Sequence, residues 1–234
     1  MRFRLPLKRT VFFAAAFAFA AVALIPLRVA VSRIGGPLAA REATGSIWLG
    51  MLKEARFGPV PLGDVQARLN VLPLFLGRAR LSLSRAEAGS GRFEGAVSVS
   101  RHGFGVEDLT GQLRPGRVFG PVPIAALDLE DVSARFSNGL CESAEGRVRA
   151  GLSGEMAGIA LPASLAGDAR CAGGALLLPL ASPAGQLTLS LGGDGRYRID
   201  LVIRRTDPAL APRLAAAGFQ PSAEGYSRRI EGSF

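Results

Sequence analysis

The chain has 234 residues, of which 28 are basic, 19 are acidic and 48% are hydrophobic, and its net charge is +9. This composition excludes a disordered chain, despite 30 glycines and 15 prolines. Five basic residues lie within the first 28 positions and the others are scattered among acidic residues, without the basic stripe that nucleic acid binding requires, so no nucleic acid partner is expected.

The first predicted element is an apolar helix over residues 10–28. Thr10 to Leu27 contains no charged residue, and at about 1.5 Å per residue it spans about 27 Å, close to the hydrocarbon thickness of a bilayer. Basic residues are concentrated before it, at positions 2, 4, 8 and 9. The positive-inside rule therefore predicts a cytoplasmic tail over residues 1–9, a single membrane span and an exported remainder.

A cleaved signal peptide is the competing interpretation of this segment. Ala18–Ala20 and Ala21–Ala23 both offer the small residues of an A-x-A cleavage site. Cleavage at either place would cut inside the apolar run rather than in a polar region beyond it. The retained anchor is therefore favoured, and both interpretations export the rest of the chain.

Residues 29–43 are interpreted as a connector, and residues 44–234 as a mainly β periplasmic domain. Beyond Gly45 apolar and polar residues alternate, as expected of strands with one buried face, and turns rich in Gly, Pro and Asn separate the alternating runs. We expect an extended or curled antiparallel sheet, whose apolar face forms either a closed core or an open groove. The alternating runs are 65–71, 81–84, 97–100, 127–130, 132–136, 187–191 and 197–203.

One short helix is predicted near the C-terminus. Asp207 suits the N-cap, Pro208 the first helical position and Gly218 the left-handed residue after the last turn. Leu210 and Leu214 would share one face of this helix. The residues from 226 to 234 are expected to return as a final strand.

The two cysteines, Cys141 and Cys171, lack metal-site spacing. His102 is the only histidine in the chain, so a zinc site is excluded. In an oxidising compartment a disulfide closing a loop of about 30 residues is favoured. Two buried free thiols are the alternative.

No motif of catalytic chemistry is present. No serine has glycine two residues away on both sides, which excludes the G-x-S-x-G hydrolase motif. The carboxylate doublets Glu107-Asp108 and Glu130-Asp131 should point to opposite faces of their strands, and we interpret them as solvated surface charge. We expect no enzyme activity, cofactor or metal. A hydrolase that joins His102 to a serine and a carboxylate from distant strands is the third-ranked hypothesis.

Three stretches carry a family resemblance. They are ATGSIWLG over 43–50; the run over 170–185, where a cysteine precedes a strand and an S-P-x-G turn; and GDGRY over 193–197, followed by AGF at 217–219 and the ending at 225–232. Together they resemble the type II secretion system protein N family, also called general secretion pathway protein N. The resemblance implies a non-enzymatic accessory in the bacterial inner membrane that supports export of folded periplasmic proteins across the outer membrane.

The resemblance also implies contacts with other secretion subunits, in the inner-membrane platform or the secretin. Trp48 and Tyr197 are the candidate partner contacts; Trp48 is the only tryptophan and lies on a probable strand, where core packing is its alternative role. The family is also similar to periplasmic AsmA-like β-groove proteins. The alternative function is therefore a groove that handles lipid or another apolar ligand in envelope biogenesis.

Overall fold

The computed structural model describes residues 11–14, 16–17, 20–21, 24–28, 38–85, 92–116, 118–119, 122–156, 159–160, 163–204 and 208–233. The predicted helix over residues 10–28 falls partly outside these ranges. Of its described residues, 11–14, 16–17, 20–21 and 27–28 are helical, whereas residues 24–26 are not, and Pro26 forms an isolated bridge with Ser46. In the part of the chain so described, no helix has both the length and the apolar character needed to cross a membrane. The predicted tail over residues 1–9 lies outside the described residues.

The described residues are mainly β, with only short helices. The helices are α1 (Val71–Phe75) and α2 (Ala211–Ala216), the second preceded by a 3-10 turn, Pro208–Leu210. The strands are β1 (Leu38–Ala39), β2 (Glu42–Ser46), β3 (Leu49–Phe57), β4 (Val60–Asn70), β5 (Ala79–Arg85), β6 (Phe93–Val99), β7 (Gly103–Leu113), β8 (Ile124–Ser137), β9 (Leu140–Leu152), β10 (Glu155–Met156), β11 (Ile159–Ala160), β12 (Ser164–Asp168), β13 (Arg170–Ala172), β14 (Ala175–Ser182), β15 (Gly185–Leu191), β16 (Arg196–Ile203), β17 (Gln220–Ser222) and β18 (Gly225–Ser233).

Sixteen of these strands form one antiparallel sheet that follows the chain almost in sequence order. The order is β1-β3-β4-β5-β6-β7-β8-β9-β12-β14-β15-β16-β18-β17, with β2 added beside β3 and β13 beside β14. The hairpin of β10 and β11 is separate and lies between β9 and β12. The predicted antiparallel sheet is confirmed, and it is a meander because short turns join most neighbouring strands.

Two details of the predicted organisation differ from the structure. Val71 was expected to continue the alternation of β4, but it begins α1 and its side chain is 46% exposed. Strands also begin at Leu38, inside the predicted connector. A short helix near the C-terminus is confirmed as α2, where Leu214 is buried and Gly218 has a φ of 81°. Its start differs from the prediction: Pro208 begins the 3-10 turn, Leu210 is the N-cap of α2, and Asp207 lies outside the described residues.

Among the register irregularities of the sheet, three β-bulges share one pattern, and each bends its strand locally. Each bulge lies between two apolar residues three positions apart, and the extra residue keeps both of them on the buried face. At each bulge an acidic residue with a φ of 48°, 53° or 54° donates its backbone N–H to a side-chain oxygen of a neighbouring strand. These pairs are Glu54 with Asp64, Asp131 with Thr110, and Asp108 with Ser133.

Glycines on the neighbouring strands make room for the bulges. Gly146 on β9 has a φ of 99°, and a Cβ atom there would lie 2.5 Å from the Cα of Val132, beside the bulge at Asp131. Gly95 on β6 faces the bulge at Asp108 in the same way, since a Cβ there would lie 3.0 Å from the Cα of Leu109. The bulges and glycines together allow adjacent strands to approach closely at these positions.

The buried apolar residues form two large cores and a small third cluster of Ala134, Phe136 and Cys141. The N-terminal core contains Leu27, Leu38, Ile47, Leu52, Ala55, Leu62, Val65, Ala67, Leu69, Leu81, Leu83, Phe93 and Val97. The C-terminal core contains Phe119, Val122, Ile124, Leu129, Val132, Val148, Ala150, Leu152, Leu165, Ala169, Leu178, Leu180, Leu187, Leu189, Ile199, Leu201, Ile203, Leu214 and Phe219. Leu109 and Leu113 on β7 pack against both, so the two cores meet there.

Segments outside the strands cover these cores. Leu27 is fully buried in the N-terminal core, and the backbone of the preceding residues holds it there, because Ile25 accepts a hydrogen bond from Ile47 N–H at 3.1 Å. In the C-terminal core, Phe119 comes from the β7–β8 connection and Leu214 from α2. The apolar face is therefore closed by the chain itself rather than left open as a groove.

Cys141 and Cys171 form a disulfide between β9 and β13, with their Cα atoms 5.6 Å apart. Regular pairing of β12 with β9 ends at Asp168, and beyond it the two segments are joined by hydrogen bonds from Ala169 to Gly146 and from Cys141 to Gly174. The disulfide holds the strands together where the ladder becomes irregular.

Replacing both cysteines, as C141A/C171A, is expected to lower the free energy of unfolding by about 3 kcal/mol, because the unfolded chain loses the constraint of a closed loop. Tm should fall by about 6–12 °C. Thermal unfolding in detergent checks this, with the reduced wild-type protein as a control that should match the variant. An unchanged Tm would contradict the stabilising role.

The glycine opposite the bulge at Asp131 gives a second prediction. Gly146→Ala should lower the free energy of unfolding by about 2 kcal/mol, because the new Cβ meets the β8 backbone and the φ is unfavourable. Gly151→Ala on the same strand is the matched control: its Cβ would have no neighbour nearer than 3.8 Å, and we expect a change within about 0.5 kcal/mol. Denaturant unfolding that gives equal effects for the two variants would refute the bulge argument.

Candidate interaction surfaces

Cross-strand ion pairs cover the outer face of the sheet. Arg198 pairs with Glu231 at 2.8 Å and Arg229 with Asp200 at 2.7 Å, both between β16 and β18. The hydrogen bond to Asp200 raises the pKa of Arg229 above its ordinary value. Exposed pairs of this kind add little to stability. The acidic partners do neutralise the charge of these arginines locally, so the outer face carries charges of both signs rather than a uniformly basic surface.

Two surface cavities in the described part of the chain are lined chiefly by polar side chains. One, of about 230 Å³, includes Arg78, Glu107, Arg135 and Glu142. The other, of about 340 Å³, lies over β3 to β5 and includes Gln66, Arg68, Asn70 and two serines. The lining of the second cavity is mixed, since Leu49 and Ala67 also contribute to it, and neither cavity is an apolar groove. The alternative of a lipid-handling groove therefore gains no support from them.

Trp48 lies in the turn between β2 and β3, not within a strand as expected. Its side chain is partly buried and packs against the N-terminal core. The next residue, Leu49, is 61% exposed. The position thus combines core packing with an exposed neighbour at the end of the sheet, and the partner contact of Trp48 stays a prediction.

Tyr197 lies on β16 and packs against the C-terminal core. Its ring meets that of Phe119 edge to face, with centroids 6.0 Å apart, and it covers Gly232 on β18, where a Cβ would lie 2.5 Å from the Tyr197 hydroxyl. Nine strands of the sheet order separate β3 from β16. Trp48 and Tyr197 therefore do not form one site, and the partner contact of Tyr197 also stays a prediction.

The acidic doublets have a structural role that sequence analysis missed. Asp108 and Asp131 are the residues in left-handed conformation at two of the bulges. The sequence signal that could have shown this is the spacing: V-E-D-L and L-E-D-V place apolar residues three positions apart, where a regular strand would need two or four.

His102 lies exposed in the β6–β7 turn, and the described residues contain no cluster of three or more potential metal ligands.

The most unusual surface is α1 with the residue after it, a run of consecutive apolar residues, VLPLFL, at positions 71–76. None of its side chains is buried; Leu72 is 80% exposed, Phe75 84% and Leu76 79%. Soluble surfaces seldom leave such contiguous apolar area uncovered without a binding role. We call residues 71–76 the apolar knuckle.

Comparison with known proteins identifies the family. No curated protein and no solved structure matches the chain. The family model of type II secretion system protein N matches residues 36–229, which begin just before β1 and end within β18. Since this match spans nearly the whole described sheet and far more than half of the 234 residues, the chain belongs to the type II secretion system protein N family.

Proposed function

We propose that the chain is a non-enzymatic accessory subunit of the type II secretion system, which supports export of folded periplasmic proteins by contacting other subunits. The observation that carries this proposal is the family match over residues 36–229. The site geometry agrees with it, because Asp108 and Asp131 of the acidic doublets lie at bulges, and Arg198 and Arg229 of the outer face are engaged in cross-strand pairs. No catalytic, metal or cofactor role is assigned to any residue.

The proposed location is the inner membrane, with residues 1–9 in the cytoplasm and the sheet in the periplasm. The span predicted over residues 10–28 is shortened to its part before Ile25, because Ile25, Pro26 and Leu27 contact the sheet. The charge-free segment and the basic residues that precede it support this orientation. The disulfide between Cys141 and Cys171 also supports it, because such bonds persist in the periplasm and are rare in the cytoplasm.

The proposed partners are subunits of the inner-membrane platform or the secretin. A folded partner would meet the polar outer face and the turns at the strand ends, since the apolar face is occupied by the cores. Exposed positions beside the two candidate contacts are therefore better probes than the candidates themselves. Leu49 is 61% exposed beside Trp48, and the Arg196 side chain is 83% exposed beside Tyr197.

Photocrosslinking in living, secreting cells tests this function. A photoreactive residue placed at Leu49 or at Arg196 should capture other secretion subunits, identified by mass spectrometry, because both positions face solvent without supporting the core. The control is the same variant in a strain that lacks the remaining secretion genes, where these adducts should vanish. Capture of only lipid or unrelated proteins from both positions would contradict the proposal.

A further inference from the structure

The apolar knuckle, residues 71–76, has no partner within the described sheet. The hairpin that carries it joins β4 and β5, whose inward residues Leu69 and Leu81 are already buried in the N-terminal core. The helix has no buried residue, although it is apolar on every side. The exposure of the knuckle therefore follows from the fold, because the N-terminal core buries its residues without any side chain from the knuckle.

The exposed large apolar residues of the described chain fall in three segments, apart from Leu140. Those with large exposed fractions lie in the N-terminal apolar segment (Val11, Phe12, Phe13, Phe17 and Leu24), at the start of β3 (Leu49 and Met51) and in the knuckle (Val71, Leu72, Leu74, Phe75 and Leu76), with Leu140 apart from them. Such clustering is not expected of apolar residues scattered singly over a soluble surface.

A short series of hydrogen bonds connects the knuckle to the end of the apolar segment. Ile25 at the end of that segment accepts a hydrogen bond from Ile47 N–H at 3.1 Å, and Ile47 accepts one from Leu69 N–H at 2.8 Å. The knuckle begins two residues after Leu69. The end of the apolar segment, the β2–β3 turn and the knuckle thus lie side by side at the same end of the strands.

We propose that the apolar knuckle inserts into the interfacial region of the same bilayer that holds the N-terminal segment. This inference rests on the proposed membrane anchor, the part of residues 10–28 before Ile25. A membrane that surrounds the segment would reach Leu24, which is 77% exposed next to the bonded Ile25, and the knuckle supplies most of the exposed large apolar side chains of the described sheet and its turns. Leu and Phe side chains gain free energy on leaving water for the acyl boundary.

Charge at the borders of the knuckle suits this arrangement. Arg28 follows the apolar segment and Arg78 follows the knuckle, and both are exposed. Arginine at this level meets the phosphate groups of lipids, where its long side chain can reach water or headgroups. Insertion would fix the sheet at two points and would set the orientation of its strand ends toward the membrane.

Tryptophan quenching by brominated lipids tests the proposal on the full-length chain in vesicles of phosphatidylethanolamine and phosphatidylglycerol. In a Trp48→Phe background, Leu72→Trp should be quenched at least twofold more by lipids brominated near the headgroup than by lipids brominated near the chain end. Phe17→Trp reports on the anchor and should be quenched best by the deep bromines. Ser222→Trp is the control, exposed on β17 at the opposite end of the strands, and should be quenched by neither.

The outcomes separate the knuckle from the anchor. Quenching of Phe17→Trp without quenching of Leu72→Trp overturns the knuckle proposal and leaves the anchor intact; absence of both overturns the anchor and the knuckle together. Equal quenching of Leu72→Trp and Ser222→Trp indicates nonspecific adsorption and also overturns the proposal.

A second measurement does not require the Trp48→Phe substitution. A photoreactive residue at Phe75, in the otherwise unaltered chain and the same vesicles, should form lipid adducts. Only a dimer adduct would assign the knuckle to contact with a second copy and would overturn the lipid assignment. In secreting cells, the photoreactive residue at Phe75 should again capture lipid. Capture of a secretion subunit and no lipid would also overturn the proposal that the knuckle inserts into the bilayer.

Discussion

A single-layer sheet with one apolar face has to cover that face with its own chain, and the rest of this structure follows from that constraint. Sixteen strands in near-sequential order provide no second layer. Three bulges, each with an acidic residue in left-handed conformation, bend their strands locally, and glycines such as Gly146 let the neighbouring strand approach the bulge closely. The apolar face carries two large cores that meet on β7 and a small third cluster, rather than one open surface.

Segments outside the strands complete each core. One of them, the segment that ends at Leu27, also connects the sheet to the apolar N-terminal helix. Leu27 ends the apolar N-terminal segment and is also a fully buried member of the N-terminal core. The segment and the sheet are thus in direct contact at Leu27. In the proposed membrane topology, this contact would hold the sheet in a defined orientation at the membrane, with the polar outer face presented to the proposed partners.

Sequence analysis could predict those features that depend on local periodicity or on a unique pair. The two-residue alternation indicated the antiparallel strands, and the only two cysteines indicated the disulfide between Cys141 and Cys171. It failed where simple alternation does not set the structure: Val71 continues the alternation of β4 yet starts an exposed helix, and Asp108 and Asp131 lie at bulges rather than in regular strands. The burial of Leu27 depends on contacts with residues distant in sequence.

The most direct test of chain-closed cores is amide hydrogen exchange at Ile47 in the full-length protein. The Ile47 N–H donates to Ile25 across the junction between the apolar segment and the sheet. Closure predicts that this amide exchanges as slowly as that of Leu69, which lies within β4 and donates to Ile47. Exchange as fast as in the exposed β8–β9 turn at Gly139 would show that the segment does not cover the N-terminal core, and would contradict the account.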